Sequence, residues 1–259
     1  MTFDNKTILI TGASTGIGKS LAFQLMTENC NLVLTARRNE LLEEIKIQSR
    51  IADHRLLLIK SDVSQKVDVM NAFRAAKEKF GKIDVAILNA GVGYNMDVEN
   101  YTSKYAEEIY GTNLLGIVYW VEQLLPDFLK RGEGMIVGLS SLSDSRGYSR
   151  SSFYSSSKAA ATNYLEGLRV ECKPHGINVI TVRPGFVETP MTKKNKFHMP
   201  FLMTAEKAAK IIINGLKKEK RMIQFPWQMV FITRFIGLLP RSIYEFLAVK
   251  TMNELKKRK

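Results

Sequence analysis

Tyr154 and Lys158 stand four residues apart, inside a serine-rich stretch that also holds Ser152, Ser155, Ser156 and Ser157. On a helix, positions i and i+4 share one face, so a phenol and an ammonium can occupy one small volume. A nearby positive charge favours the phenolate, which is expected to draw the tyrosine down from its ordinary pKa of about 10 toward the range useful for proton transfer. Further serines, Ser140, Ser141 and Ser143, lie close upstream.

A second constellation lies near the N-terminus. Gly12, Ala13, Ser14, Thr15, Gly16, Ile17 and Gly18 follow Thr11, placing three glycines where a chain must turn sharply and admit a pyrophosphate to the start of a helix. Its spacing differs from the common dinucleotide fingerprint, and alone it also fits an ordinary turn. The next apolar run ends in Ala36, Arg37 and Arg38. An NAD site commonly places a carboxylate there for the ribose hydroxyls, whereas two guanidiniums suit a 2′-phosphate. NADP(H) is therefore expected over NAD(H), with Arg37 the stronger candidate and Arg38 also suited to capping the following helix.

The elements that must position these groups alternate along the chain. Residues 6–11, 32–36, 56–60, 85–88, 135–139 and 177–182 are apolar runs of strand length, and longer amphipathic stretches separate them, the first at 19–29. Strands alternating with helices and without tight hairpins imply parallel pairing, hence a single doubly wound, Rossmann-type α/β sheet with helices on both faces. Its ligand is expected beyond the carboxyl ends of the strands, where Thr11-Gly12, Asn89-Ala90-Gly91, Ser140-Ser141 and Pro184-Gly185 each follow a strand. The chain has 259 residues and 45% hydrophobic content, enough for one core, and lacks linkers and repeats. We divide it at 225, with 1–225 as the dinucleotide-binding and catalytic domain and 226–259 as a C-terminal helical extension.

Taken in order, the glycine turn, Asp62-Val63, Asn89-Ala90-Gly91, Asn113 with Gly116, Ser141, Tyr154 with Lys158, and Pro184-Gly185 with Thr189 resemble the short-chain dehydrogenase/reductase family over roughly residues 6–189. The resemblance implies an oxidoreductase interconverting a carbonyl and an alcohol. Tyr154 is then the general acid or base, Lys158 binds the nicotinamide ribose and lowers the tyrosine's pKa, Ser141 orients the substrate oxygen, and Asn113 holds a water in a proton relay. Ser141 is preferred over Ser140 because its separation from Tyr154 matches the family spacing. Gly12, Ser14, Thr15, Gly16, Ile17 and Gly18 are implied at the pyrophosphate and Asp62 and Val63 at the adenine. Asn89, Ala90 and Gly91 fall to the adenine ribose side, and Pro184, Gly185, Val187 and Thr189 to the nicotinamide. Leu88 and the Ser143-Asp144 pair depart from common family patterns without removing a reacting group. The resemblance also implies a homodimer or homotetramer through long helices around 112–131 and 152–173.

Other features bound the reading. The formal charge of +13 is spread in clusters without a nucleic-acid motif, so no nucleic-acid partner is expected. Cys30 and Cys172 give neither a disulfide framework nor a zinc pattern, and His54, His175 and His198 lack companions for a metal. The N-terminus lacks signal-peptide features, and the expected location is cytoplasmic. Residues 191–203 suit either an apolar lid over a small apolar carbonyl or alcohol, which the family resemblance implies for this position, or an ordinary loop and short helix completing the core. The stretch 225–240 is too apolar for a fully solvated helix, which leaves burial, a partner subunit or a peripheral membrane surface as its destinations. A catalytically silent NADP-binding sensor is the alternative of a different class, although such a protein need not keep the acid, serine, amine and amide together.

Overall fold

The computed structural model describes residues 1–195 and 197–257; Lys196 of the expected lid and Arg258 and Lys259 of the basic terminus lie outside the described residues. Strands β1 (Thr7–Thr11), β2 (Asn31–Ala36), β3 (Leu56–Lys60), β4 (Val85–Leu88), β5 (Gly134–Leu139), β6 (Ile177–Pro184) and β7 (Met222–Phe225) form one parallel sheet in the order β3-β2-β1-β4-β5-β6-β7. The order reverses between β1 and β4, which opens a crevice at the carboxyl ends of those two strands.

Period-two alternation sends neighbouring side chains to opposite faces. Ile8, Ile10, Leu32 and Leu34 pack with α1 (Gly16–Met26), α2 (Asn39–Ser49) and α7 (Ala205–Lys217), whereas Leu9, Val33 and Ile136 pack with α3 (Lys66–Phe80), α5 (Gly116–Arg131) and α6 (Ser152–Cys172). Both faces are thereby buried, as the near-continuous apolar strands demand. Helix α4 (Ser103–Tyr110) runs into α5 through a π-helical turn, Gly111–Leu115. After β7 come α8 (Trp227–Leu238) and α9 (Arg241–Lys257).

Two boundaries differ from the sequence expectation. The sheet has a seventh strand, β7, because pairing of Met222–Phe225 with residues 181–184 of β6 makes a strand of a segment whose own pattern is too short to announce one. Helix α1 begins at Gly16 rather than at residue 19. Gly18 is already helical, and a methyl group there would collide with the Gly12 carbonyl and stand 2.5 Å from Asn89 Nδ2. Gly12 has φ +64° and lies against Ala90, where a side chain would be both strained and crowded. The glycines thus bring the β1 turn, α1 and the end of β4 into backbone contact.

Overpacking this contact has a measurable cost. Gly18→Ala should lower stability by about 1–3 kcal/mol in urea unfolding followed by circular dichroism; an unchanged midpoint would show that the turn relaxes freely.

Candidate active site

The crevice is a cleft of about 580 Å³. Gly12, Ser14, Thr15, Gly16 and Ile17 line it beside Arg37, Arg38, Asp62 and Val63. Asn89, Ala90 and Gly91 line it from β4, Ser141, Tyr154 and Lys158 from the β5 and α6 side, and Pro184, Gly185, Val187 and Thr189 from β6. Two expected site residues lie beneath that lining. Gly18 is tucked under Gly12, and Asn113 is wholly buried behind Gly91.

Both of these positions are structural supports. Asn113 Nδ2 donates to the Val92 carbonyl at 2.9 Å and to Ser157 Oγ at 3.0 Å, while its Oδ1 accepts from Val92 N–H at 2.8 Å. With both amide protons engaged, the side chain fixes the strand exit to α6, and the π-helical turn around it is a departure typical of functional sites. Asn89 behaves similarly: its Nδ2 donates to the Thr11 and Gly12 carbonyls at 2.9 and 3.1 Å. Its amide braces the glycine turn, and Ala90 N–H adds a bond to Thr11 Oγ1 at 3.0 Å.

At the other end of the cleft, Lys158 is 4% exposed and its Nζ donates to the Leu139 carbonyl at 2.8 Å. Ser140 Oγ returns a bond to the Lys158 carbonyl at 2.8 Å, so Ser140 packs under the strand end. Ser141 is the serine that hydrogen-bonds the Tyr154 hydroxyl, and it also accepts from Ser143 N–H at 3.1 Å. A support that sequence reasoning did not assign lies just behind. Asp144 pairs with Arg183, and the Thr162 hydroxyl lies 2.6 Å from both Asp144 and Ser140. Asp144 was visible only as a departure from family pattern; nothing in local spacing linked it to Thr162 or Arg183.

The electrostatics correct one expectation. Burial pushes the Tyr154 phenol upward, the Ser141 hydrogen bond pulls it partly back, and the negative charge of Asp144 raises it again. Lys158 does not draw it down here, because the ammonium faces the Leu139 carbonyl and lies 5.9 Å from the phenol ring centre. Desolvation also pushes Lys158 down to about 8, opposed by Asp144. Tyr94, at the cleft wall, is pushed up to about 12 by burial and by its 2.7 Å bond to Glu108.

The cleft fits a nicotinamide dinucleotide. Helix α1 starts without a side-chain cap and without an acidic residue in its first turn, leaving N–H donors and the positive end of its dipole for a pyrophosphate. Ala36 ends β2, and no carboxylate side chain occupies that position. Arg37 is half-exposed, 3.9 Å from Asp62 and 3.6 Å from Glu108, and Arg38 lies 3.5 Å from Thr15 Oγ1. Thr189 closes over Gly16 from above the turn. Among the described residues, no group of three or more His, Cys, Asp or Glu could hold a metal ion. Both cysteines are free and buried.

Comparison with known proteins agrees. The family model described as short chain dehydrogenase matches residues 6–199. The chain belongs to the short-chain dehydrogenase/reductase family. It is therefore an oxidoreductase on a Rossmann-like fold. This short-chain dehydrogenase is 31% identical over 243 residues to an uncharacterized oxidoreductase of Myxococcus xanthus, covering 94% of this chain and 96% of that one. In fold it matches a short-chain dehydrogenase/reductase of Burkholderia phymatum in complex with NAD, with TM-score 0.82, 22% identity and coverage of 90% and 93%. It also matches a short-chain dehydrogenase of Sphingobium yanoikuyae in complex with NADPH, with TM-score 0.76, 23% identity and coverage of 91% and 97%.

The depressed Lys158 amine has a consequence for stability. Between about 8, its value in the folded enzyme, and 10.5, the ordinary lysine value, the unfolded chain holds a proton that the folded chain lacks. Stability from this residue must then rise with pH through that window. Urea unfolding of the wild type and of Lys158→Met, compared at about pH 7.5 and about pH 10, should show a relative gain for the wild type of about 3 kcal/mol at most; parallel pH profiles would remove the buried, depressed amine.

Proposed function

We propose that this short-chain dehydrogenase interconverts an apolar carbonyl and its alcohol with NADP(H). The observation that carries the proposal is the grouping of Tyr154, Ser141 and Lys158 at one end of a cleft whose other end holds an uncapped helix start and two arginines. The bound nicotinamide would supply or accept the hydride; the protein holds the substrate oxygen and manages its proton.

In the reducing direction, the Tyr154 O–H would give its proton to the carbonyl oxygen, and Ser141 would donate a hydrogen bond that steadies the charge developing on that oxygen. An ordinary phenol is already protonated at neutral pH, so Tyr154 carries the proton that an acid must give, and burial and Asp144 act against its ionisation. Lys158, anchored to the Leu139 carbonyl, places an amine beside the tyrosine and the ribose position. Asn113 holds Val92 and α6 in register, and a proton relay through this region would use a water on the π-helical turn. Val92, Gly93, Tyr94, Pro190 and Met191 continue the wall beyond the reacting groups, which supports an apolar substrate.

NADP(H) rather than NAD(H) follows from the end of β2. The missing carboxylate at Ala36 and the paired guanidiniums of Arg37 and Arg38 favour a 2′-phosphate. A homodimer or homotetramer through α5 and α6 belongs to the same reading.

Tyr154→Phe should reduce NADPH-dependent turnover of a panel of ketones and aldehydes by at least roughly a hundredfold, while fluorescence titration shows NADPH still bound. Retained turnover would defeat the assignment. If no carbonyl is turned over by the wild type although NADPH binds, the silent-sensor reading takes its place.

Arg37→Ala should raise KM for NADPH by about 10-fold to 100-fold, the worth of a charge-assisted hydrogen bond, and leave KM for NADH nearly unchanged. Equal effects on the two cofactors, or better use of NADH by the wild type, would count against a 2′-phosphate site.

A further inference from the structure

Helix α8 leaves its aromatic residues outside. Trp227 is 75% exposed, Phe231 72%, Phe235 62% and Leu238 84%. At 3.6 residues per turn these four positions fall within an arc of about 80° on one side of the helix. The opposite side is held by the protein: Thr233 is buried, and α8 packs on β7 and on the 3-10 turn Leu142–Ser145. In α9, Ile243, Phe246 and Leu247 are exposed as well. Large apolar surface displayed this way marks a contact with something other than water.

Charge says what that contact is. Residues 226–259 carry seven Lys or Arg against two Glu, in a chain already at +13. Arg241 and Lys250 are exposed on α9, the helix that also exposes Ile243, Phe246 and Leu247. A symmetric contact with a second copy would set this basic surface against itself. An anionic lipid surface receives both components, with Trp and Phe entering the headgroup boundary and Lys and Arg reaching acidic headgroups. Among the described residues no helix is long and apolar enough to cross a membrane, so the helices would lie in the plane of the interface.

We propose that the outer face of α8 and α9 docks this enzyme on an anionic lipid surface. The docking face is tied to the substrate side of the cleft. Arg146, in the loop that follows Ser141, donates to the carbonyls of Ile236 at 3.2 Å and Gly237 at 3.0 Å, and also bonds the Leu239 carbonyl, capping the end of α8. Tyr244 Oη donates to the Gly147 carbonyl at 2.6 Å from the α9 side. Lipid bound by these helices therefore lies one helix thickness from residues 142–149, the loop that continues from Ser141, and an apolar substrate partitions into that surface.

The full chain, incubated with sedimenting vesicles of phosphatidylcholine with or without phosphatidylserine, should pellet with the phosphatidylserine vesicles and be released by added salt. The double variant Phe231→Ser/Phe235→Ser should weaken partitioning by roughly tenfold or more, and Arg241→Glu/Lys250→Glu should remove the preference for phosphatidylserine. Circular dichroism and the thermal midpoint of each variant establish that it is folded. Failure of the wild type to pellet with either vesicle would overturn the proposal. So would binding indifferent to both salt and phosphatidylserine. A lipid-free dimer in sedimentation velocity that Phe231→Ser/Phe235→Ser dissociates would assign the face to a second copy instead.

Discussion

A buried ammonium must direct its protons at acceptors, and the placement of Lys158 depends on that requirement. Its Nζ donates to the Leu139 carbonyl, the last residue of β5, while Ser140 Oγ donates back to the Lys158 carbonyl. Two bonds of opposite direction thus fix α6 to the strand end. Tyr154, one turn earlier on the same helix, is located by the same pin, and Ser141, one residue beyond Ser140, is brought to its hydroxyl. The candidate reacting groups come from the end of β5 and from α6, and a single junction between the two positions all three.

That junction faces the phosphate turn only because of the sheet order. Reversal between β1 and β4 leaves the two chain exits diverging, and Asn89 fills the gap by donating to both carbonyls of the turn. Asn113 performs the same service one layer deeper, joining the segment after β4 to α6. The glycine turn and the Tyr154 end of the cleft are therefore braced by two side-chain amides, Asn89 half-buried in the cleft wall and Asn113 fully buried. Neither amide has an N–H to spare for a ligand, which makes each of them more sensitive to substitution than a residue making one surface contact.

The first six strands were legible because each is an apolar run long enough to bury on both faces, and their alternation with helices dictated parallel order. The seventh was not. Met222–Phe225 contains Gln224, sits at the sheet edge and becomes a strand only through its pairing with β6. The start of α1 was displaced for a related reason: Gly16 and Gly18 read as turn residues, yet close packing of Gly18 on Gly12 is what lets a helix begin there. Candidate site residues were legible from type and order, since all but Gly18 and Asn113 line one cleft. Their electrostatics were not. The sequence suggests a lysine acting on a tyrosine, but burial acts on both, and how far each is removed from water is a property of the packed structure.

The ion pair behind the site shows how such burial is kept tolerable. Asp144 raises both Tyr154 and Lys158, adding to the effect of burial on the first and opposing the desolvation of the second. An unpaired carboxylate at that depth would be costly, and Arg183 of β6 pairs with it while Thr162 of α6 bonds its other oxygen. Arg183 reaches Asp144 from the strand that ends at Pro184, so the same pair connects the serine loop to the β6 wall of the cleft. Substituting the carboxylate alone would strand a buried guanidinium whose Nε already has no hydrogen-bond partner among the described residues. The charge acts on both neighbours in the same direction: it disfavours ionisation of the Tyr154 phenol and favours the charged form of the Lys158 amine within one water-poor space.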